Sequence, residues 1–249
     1  PILMGGAPRT VAIANGTLQN DGSFTVAAYN QSGGQLAGSG TLTVTGLATL
    51  TGGDQTGTGT SQFNGNVAIS GNGTRSLSGG RTMNTAATTT WGGNTSVNGN
   101  SFAINGNATL NNAGTWNDTN GFDTSLGNGV GGTKVFNNTG TYNKSGNAIT
   151  DVDTAFNNTG TVSVSGTGRL SLNGNVDSTS TGTFQIGAGS TLSFGHNGFS
   201  AGLATLSNVT FGGTGTLLID ASNVGGSDVR TVGTLSHAGT LAIANVTLQ

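Results

Sequence analysis

Two carboxylates stand close together in the chain, at Asp151 and Asp153. In a β-strand the side chains of residues i and i+2 face the same side, so both carboxylates would share one face. Paired carboxylates serve glycoside hydrolysis or hold a divalent cation. The chain contains no Glu, and no His lies nearby in sequence to assist them. This favours the alternative interpretation, a solvated strand edge or turn.

A second pair of carboxylates, Asp118 and Asp123, lies beside Trp116 and would suit a sugar-binding platform. We favour the alternative, a packed aromatic side chain with polar loop neighbours. The other large aromatic residues could either stack along an outer face or fill the core. Filling of the core is the commoner of these two uses. These residues are Trp91, Tyr29 and Tyr142.

Metal-binding motifs are absent or incomplete. His196 and His237 lie far apart in the sequence, without the close spacing of a zinc motif. The segments Gly52-Gly53-Asp54 and Gly225-Gly226-Ser227-Asp228 partly match a calcium-binding repeat, but they are not in tandem. We therefore predict no catalytic residue, no metal and no cofactor, and we predict that the chain is not an enzyme.

Threonine-rich strands on a flat face can order water at an ice surface. The segments Thr88-Thr89-Thr90 and Thr41-Leu42-Thr43 hint at such a face. An ice-binding face needs a Thr-x-Thr ladder at a fixed rung spacing, and the spacing along this sequence is irregular. Ice binding is therefore only a subordinate alternative.

The composition differs from that of an ordinary globular domain. Of 249 residues, 47 are Gly and only 6% are charged, whereas average domains carry about 25% charged residues. The net charge of -2 excludes the basic patch of a nucleic-acid-binding protein, and the absence of Cys excludes a disulfide framework. Recurrent Val, Ile, Thr, Leu and Phe indicate an ordered, turn-rich, all-β chain.

Short phrases recur along the chain and predict stacked strands. Phe136 to Thr141 reads F-N-N-T-G-T, and the same phrase returns from Phe156 to Thr161. Elsewhere a Gly-Thr step leads into alternating apolar and polar residues, which is the signal of a β-strand. The step of 20 residues from Phe136 to Phe156 suits one coil of a β-solenoid. The longer step between Gly182 and Gly215 suggests a loop or an extra strand.

Asn-Gly-Asn follows an apolar residue at four places and predicts tight corners, because Asn and Gly both accept positive φ. These phrases are Phe63–Asn66, Val97–Asn100, Ile104–Asn107 and Leu172–Asn175. In a hairpin protein they would mark two-residue turns. In a solenoid they mark corners between faces, with Asn side chains stacking rung on rung. The short segments and the parallel phrase repeats favour the solenoid over an array of sandwiches.

We therefore predict a single continuous parallel β-solenoid over residues 1–249, with coils of roughly 20 or more residues, as a unit of a longer repetitive protein. Inward Leu, Val, Ile and Phe form its predicted core, among them Phe156 and Leu172. Loops that leave the stack are predicted near residues 120–135 and 221–231, where the repeating phrase is interrupted.

The phrases F-N-N-T-G-T, G-T-L-T-V and L-S-L-N-G resemble those of bacterial β-strand-repeat surface proteins, the filamentous-haemagglutinin-like adhesins and autotransporter passengers. The resemblance covers the chain from about Val11 to Gln249. It implies a right-handed parallel β-helix, secretion to the bacterial cell surface or beyond, and a role in adhesion or matrix. It brings no catalytic residues with it.

Nearly the same phrase stands at both ends of the chain. Thr10 to Gln19 reads T-V-A-I-A-N-G-T-L-Q, and Thr240 to Gln249 reads T-L-A-I-A-N-V-T-L-Q. We expect the last rung to be followed by an equivalent of the first, in the same polypeptide or in the next subunit, because an open rung recruits further strands. The rungs expected to associate contain Val11, Ile13, Leu241 and Ile243.

These observations together favour an extracellular structural protein, a subunit of a filament, sheath or biofilm matrix that stacks end to end. The alternative is an adhesin stalk or passenger domain that binds host or surface carbohydrate. A carbohydrate-active enzyme would need acids and bases gathered on one face, and the Asp residues are scattered along the chain.

Overall fold

Parallel β-strands joined by turns make up the described part of the protein. The computed structural model describes residues 9–174, 180–195, 209–220, 228–230, 236–244 and 246–248. The strands within these ranges pair in parallel, from Thr10–Ile13 with Ala28–Ala37 near the beginning to Asp228–Arg230 with Val246–Leu248 near the end. The prediction of an all-β parallel solenoid is therefore confirmed. No helix in the same ranges has the length and apolar character needed to cross a membrane.

The strand bounds are as follows, in chain order. The first group is β1 (Thr10–Ile13), β2 (Thr17–Gln19), β3 (Ser23–Val26), β4 (Ala28–Ala37), β5 (Thr41–Val44), β6 (Ala48–Gln55), β7 (Thr60–Phe63), β8 (Val67–Ile69), β9 (Arg75–Leu77) and β10 (Thr82–Thr85). The next group is β11 (Thr88–Gly92), β12 (Phe102–Ile104), β13 (Thr109–Asn112), β14 (Thr115–Thr119), β15 (Thr124–Leu126), β16 (Val135–Asn138), β17 (Thr141–Lys144), β18 (Ile149–Val152) and β19 (Ala155–Asn158). The last group is β20 (Thr161–Val164), β21 (Arg169–Leu172), β22 (Thr183–Ile186), β23 (Thr191–Phe194), β24 (Thr210–Gly213), β25 (Thr216–Asp220), β26 (Asp228–Arg230), β27 (Thr240–Ala244) and β28 (Val246–Leu248).

Apart from β26 and β28, which form a separate two-stranded sheet, the described strands stack in three columns, which we call the first, second and third faces of the solenoid. The first face runs from β1 through the first halves of β4 and β6 to β8, β11, β14, β17, β20, β22 and β24. The second face runs from β2 through the second halves of β4 and β6 to β9, β12, β15, β18, β21, β23, β25 and β27. The third face is a seven-stranded sheet of β3, β5, β7, β10, β13, β16 and β19.

Coil length varies, but the strands of the third face keep their register, whereas the pairing of β4 with β6 on the other two faces shifts register on both sides of Ser32. On the third face Ser23 pairs with Thr41 across a short coil, whereas Thr82 pairs with Thr109 across a much longer one. Phe136 pairs with Phe156, so the repeated F-N-N-T-G-T phrases lie on adjacent coils as predicted. The extra residues of a long coil are therefore accommodated in its turns.

The long step between Gly182 and Gly215 is a change of face. Thr183 belongs to the first face, where it pairs with Thr161, and Thr216 belongs to the second face, where it pairs with Thr191. The interval contains β23 and β24, so it holds extra strands as one of the two predictions proposed. The Gly-Thr phrase thus begins strands on more than one face.

The predicted loop at residues 120–135 is not continuous. It contains β15, which stays in the stack and pairs with β12 and β18. The sequence obscured this strand because it is very short, and Leu126 is its only apolar residue. Of the other predicted loop, 221–231, only residues 228–230 lie in the described part, and they form β26, which pairs with β28.

Inward side chains fill the solenoid with aromatic and aliphatic groups. Phe156 and Leu172 are buried, which confirms their predicted orientation. Phe136 contacts Phe156 with ring centroids 5.1 Å apart, and Trp116 contacts Phe136 at 5.5 Å. Such aromatic pairs contribute about 0.5–1.5 kcal/mol beyond the burial of their area. The core is therefore continuous from coil to coil.

Glycine begins the Gly-Thr phrase because successive coils approach closely at that corner. The carbonyl oxygen of Gly140 accepts a hydrogen bond of 2.9 Å from the backbone N–H of Thr161. A Cβ on Gly160 would overlap that same carbonyl oxygen. Only a residue without a Cβ leaves the hydrogen bond and the stacking of the coils undisturbed.

Replacing Gly160 by Ala should destabilise the solenoid by about 1–3 kcal/mol, the usual cost of forcing atoms into packed structure. The matched control is Gly121→Ala, because a Cβ there has no neighbour within 4 Å. That control should be neutral or slightly stabilising. Urea unfolding of both variants is the measurement, and equal stability of the two would contradict the close-approach explanation.

Candidate functional site

A group of hydrogen-bonded polar side chains lies inside the solenoid, around Asp118. Asp118 on β14 pairs with Lys144 on β17. Both point inward because the alternation on each strand already directs Trp116 and Tyr142 into the core. All four side chains are completely buried. We call Asp118, Asn120, Tyr142, Lys144 and Thr150 the Asp118 cluster.

The Asp118 carboxylate accepts hydrogen bonds from three other members of the cluster. Its Oδ2 accepts from Thr150 Oγ1 at 2.6 Å and from Tyr142 Oη at 3.2 Å. Its Oδ1 accepts from Asn120 Nδ2 at 3.0 Å and from the Asn120 backbone N–H at 3.2 Å. Lys144 Nζ donates to the carbonyl oxygen of Gly146 at 2.9 Å. The cluster therefore joins two coils and the turn that follows each of them.

Burial dominates the electrostatics of this cluster. It lowers the pKa of Lys144, and the charges of Asp118 and Asp123 oppose that shift. It raises the pKa of Tyr142 well above its usual range, and the adjacent Asp118 adds to the rise. Every member is fully inaccessible to solvent. An acid, an amine and a phenol in this arrangement therefore hold coils together, with no surface on which a substrate could meet them.

Asp118→Ala should cost about 3–5 kcal/mol of unfolding free energy, because it leaves buried hydroxyl and amide donors unpaired beside a buried amine. The control is Asp54→Ala. Asp54 is half-buried and its Oδ1 accepts a hydrogen bond of 2.7 Å from Ser76 Oγ, so its loss should cost about 1 kcal/mol or less. Denaturant unfolding compares them, and similar costs would argue against the role given to the Asp118 cluster.

A second internal chain of hydrogen bonds ends on a buried arginine. Tyr29 Oη donates to Gln31 Oε1 at 2.9 Å, and Ser61 Oγ donates to Gln55 Oε1 at 2.7 Å. Gln55 Nε2 joins these two pairs through Gln31 Oε1 at 3.3 Å. Arg81 Nε donates to Ser61 Oγ at 3.0 Å, and burial lowers the pKa of Arg81.

Backbone carbonyls of neighbouring coils hold the buried guanidinium groups. Arg81 Nη1 donates to the carbonyl oxygens of Thr56 at 2.9 Å and of Gly38 at 3.4 Å. Arg75 Nε donates to the carbonyl oxygen of Leu50 at 3.0 Å, and burial lowers the pKa of Arg75 to about 10. Both arginines therefore bond to backbone carbonyl oxygens of other coils, in strand β6 and in the segments that follow strands.

Sequence reasoning missed these buried charges, although the alternation contains a signal for them. In Thr141-Tyr142-Asn143-Lys144 an inward Tyr142 implies an inward Lys144. Aligning this phrase with Thr115-Trp116-Asn117-Asp118 then places Asp118 opposite Lys144. Trp116 is buried, so the packed-aromatic interpretation is confirmed over the sugar platform. The same holds for the other large aromatic residues, Trp91, Tyr29 and Tyr142.

The Asp151 and Asp153 pair does not form a shared outward face. Asp151 is half-buried on the outside of β18, whereas Asp153 lies beyond the strand end and is buried. Asn173 Nδ2 donates to Asp153 Oδ1 at 2.9 Å and to Asp151 Oδ1 at 3.4 Å. Burial raises the pKa of Asp153 to about 6, and the neighbouring charge of Asp151 adds to the rise. The pair is thus tied to a corner of the next coil.

The raised pKa of Asp153 predicts that the stability of the fold depends on pH. Because its folded pKa lies above the ordinary value of 3.8, the protonated form favours folding, and this contribution is complete below pH 3.8. It should decrease by up to about 3 kcal/mol as the pH rises from about 4 through about 6. Asp153→Asn should flatten that slope in urea unfolding, whereas Asp54→Asn should keep it. An unchanged slope in Asp153→Asn would remove Asp153 as its source.

The remaining candidates for metal binding do not assemble in the described ranges. His237 contacts the carbonyl oxygen of Gly215 through Nε2 at 3.0 Å, and His196 lies outside the described residues. In the partial calcium repeats, Asp54 accepts from Ser76 as above, and only the backbone of Asp228 is described. No group of three or more His, Asp or Glu within the described ranges could hold a metal ion.

The outward surface of the third face carries a ladder of amides, which we call the amide ladder. Each Asn donates through Nδ2 to the amide oxygen of the preceding coil, at 2.8 or 2.9 Å. Its members are Gln62, Asn84, Asn111, Asn137 and Asn157. A parallel ladder runs inside the same strands through Thr85, Asn112, Asn138 and Asn158.

The Asn-Gly-Asn phrases lie at corners as predicted, as far as they are described, although their side chains do not stack on one another. Asn98, Asn100 and Asn107 have positive φ, as tight corners require. Asn105 Oδ1 accepts from the backbone N–H of Val130 at 2.7 Å, and Asn107 Oδ1 accepts from that of Thr133 at 2.8 Å. Corner asparagines therefore cap the backbone of the next coil, and the stacked amides lie in the strands.

The rungs expected to associate end to end differ in exposure. Leu241 and Ile243 on β27 are 43% and 49% exposed, whereas Ile13 on β1 is buried and Val11 packs partly buried against the core. The repeated terminal segments also begin on different faces. β1 starts the first face, and β27 continues the second. In a stack of coils, the column of β27 would therefore continue into an equivalent of β2.

No protein-family model, curated protein or solved structure matches the chain.

Proposed function

We propose that the chain is an extracellular structural protein, a β-solenoid subunit of a filament, sheath or biofilm matrix that extends by end-to-end stacking of coils. The resemblance to bacterial surface repeat proteins supports its placement outside the cell. The burial of its charged clusters supports a structural role over an enzymatic one, because the most concentrated acids and bases hold coils together.

The exposed rung on β27 is the observation that carries this proposal. Leu241 and Ile243 continue a column in which Leu217 and Ile219 are completely buried. Covering about half of two such side chains would contribute about 2 kcal/mol. Among the described strands, β27 also pairs on one side only, with β25. The apolar rung and the edge of β27 that no other described strand pairs with both favour a further coil on that side, from the same polypeptide or from a second copy.

Electron microscopy of the purified chain at raised concentration tests the stacking. Wild-type protein should form long fibres, and Leu241→Lys should reduce them to short rods because it places a charge in the contact. The matched control is Leu218→Lys, since Leu218 is half-buried on the outward side of β25. That variant should still form fibres. Short rods from the wild type, or fibres from Leu241→Lys, would refute stacking through β27.

An adhesin stalk is the second candidate, supported by exposed apolar side chains at one corner. Val97 is 61% and Phe122 is 45% exposed. Their loops lie on adjacent coils, because the Asn98 backbone N–H donates to the carbonyl oxygen of Asp123 at 2.7 Å. An exposed aromatic ring beside asparagines suits a carbohydrate ligand. Retention of wild type, but not of Phe122→Ala, on immobilised glycans would support this candidate.

A further inference from the structure

The outward surface of the third face carries no charge. Its outward positions form two columns, and none of them carries an ionisable group. The first column contains Ser23, Thr41, Thr60, Thr82, Thr109, Val135 and Ala155, and the second contains Thr25, Thr43 and the amide ladder. The second face differs, because Asp54, Asp151 and Arg169 stand at its outward positions.

The hydrogen bonds of the amide ladder order the side chains of this surface in the absence of a partner. Asn84 donates to Gln62 Oε1 at 2.9 Å and accepts from Asn111 Nδ2 at 2.8 Å, and the links to Asn137 and Asn157 repeat this geometry. Ordered side chains lose little rotamer freedom on association. On the first face only one such link joins successive amides in the described strands, from Asn143 to Asn117 at 3.0 Å.

We propose that the third face is a lateral contact between two copies of this chain, packed sheet against sheet. Identical parallel sheets with small side chains and amide ladders interdigitate in this way in other stacked-strand assemblies. The absence of charge removes the repulsion that would keep two identical surfaces apart. A two-fold axis makes such a contact self-complementary, so each copy contributes the same face.

The area of the face determines how strongly two copies associate through this contact. Seven strands about 4.8 Å apart, with four residues of about 3.3 Å each, cover about 34 by 13 Å. This is about 450 Å² on each partner and about 900 Å² together, below the roughly 1,200 Å² of a stable complex. Single molecules should therefore separate, whereas many copies held side by side should adhere through their summed contacts. Because the described strands form one such face, associated rods should occur in pairs.

Beads coated with the purified chain test this inference without any need for end-to-end stacking. Wild-type beads should clump. Asn84→Lys should reduce clumping at least about tenfold, because β10 is the middle strand of the seven and residue 84 would lie near its own counterpart across the two-fold axis. The control Asn143→Lys alters a half-buried, hydrogen-bonded Asn on the first face and should still clump. Circular dichroism and thermal unfolding confirm that each variant folds.

Mixing charges gives the decisive arm of the experiment. Beads with Asn84→Lys and beads with Asn84→Asp should each stay dispersed, yet they should clump when mixed, because opposite charges then meet across the axis. No clumping of wild-type beads, equal loss in Asn143→Lys, or no rescue on mixing would overturn the lateral contact. So would selective retention of wild type over Asn84→Lys on insoluble polysaccharide or on ice without clumping, since the face would then serve that partner.

This inference and the proposed stacking can fail separately, although both concern contacts between copies. Beads that carry Leu241→Lys should still clump, since β27 lies on the second face. Clumping without fibres would leave the lateral contact and remove the stacking. Fibres from wild-type protein with dispersed beads would do the reverse.

Discussion

The hydrogen bond between one coil and the next, made at van der Waals contact of the two backbones, is the constraint on which the rest of the structure depends. At the Gly-Thr corner the carbonyl of Gly140 points at the next coil and accepts from Thr161. This leaves no room for a Cβ on Gly160. The Gly of the Gly-Thr phrase and the alignment of side chains in columns both follow from that close approach.

Columns of aligned side chains make polar groups behave differently inside and outside the solenoid. A residue placed inward is surrounded by its equivalents above and below, so a polar residue is tolerated when it bonds to a neighbouring coil. Asp118 with Thr150 and Arg81 with Thr56 satisfy this condition across coils. An outward Asn, such as Asn137 on Asn111, forms the same coil-to-coil bond at the surface. Polar pairing between coils thus reinforces the register that the backbone hydrogen bonds set.

The sequence was sufficient to predict strands, corners and the parallel stack, because these depend on local chemistry. Alternation around Phe156 predicted its burial, and Asn-Gly predicted the corner at Gly106, whose φ is 50°. The assignment of each strand to a column was harder to predict, because it depends on how the strands of successive coils align. Irregular coil lengths hid that Thr183 and Thr216 lie on different faces. The inward Lys144 and Arg81 were missed because charge is an unreliable guide to orientation once a partner is within reach.

On the third face, variation in coil length lies in the corners, while the strands keep their register from the short coil that begins at Ser23 to the long coil that begins at Thr82. Lengthening a loop costs free energy only as the logarithm of its length, and here the lengthening leaves the paired strands in place. The corners are therefore positions where this chain can gain or lose sequence with little penalty. New loops can therefore be displayed at the corners along the stack of coils without redesign of the core.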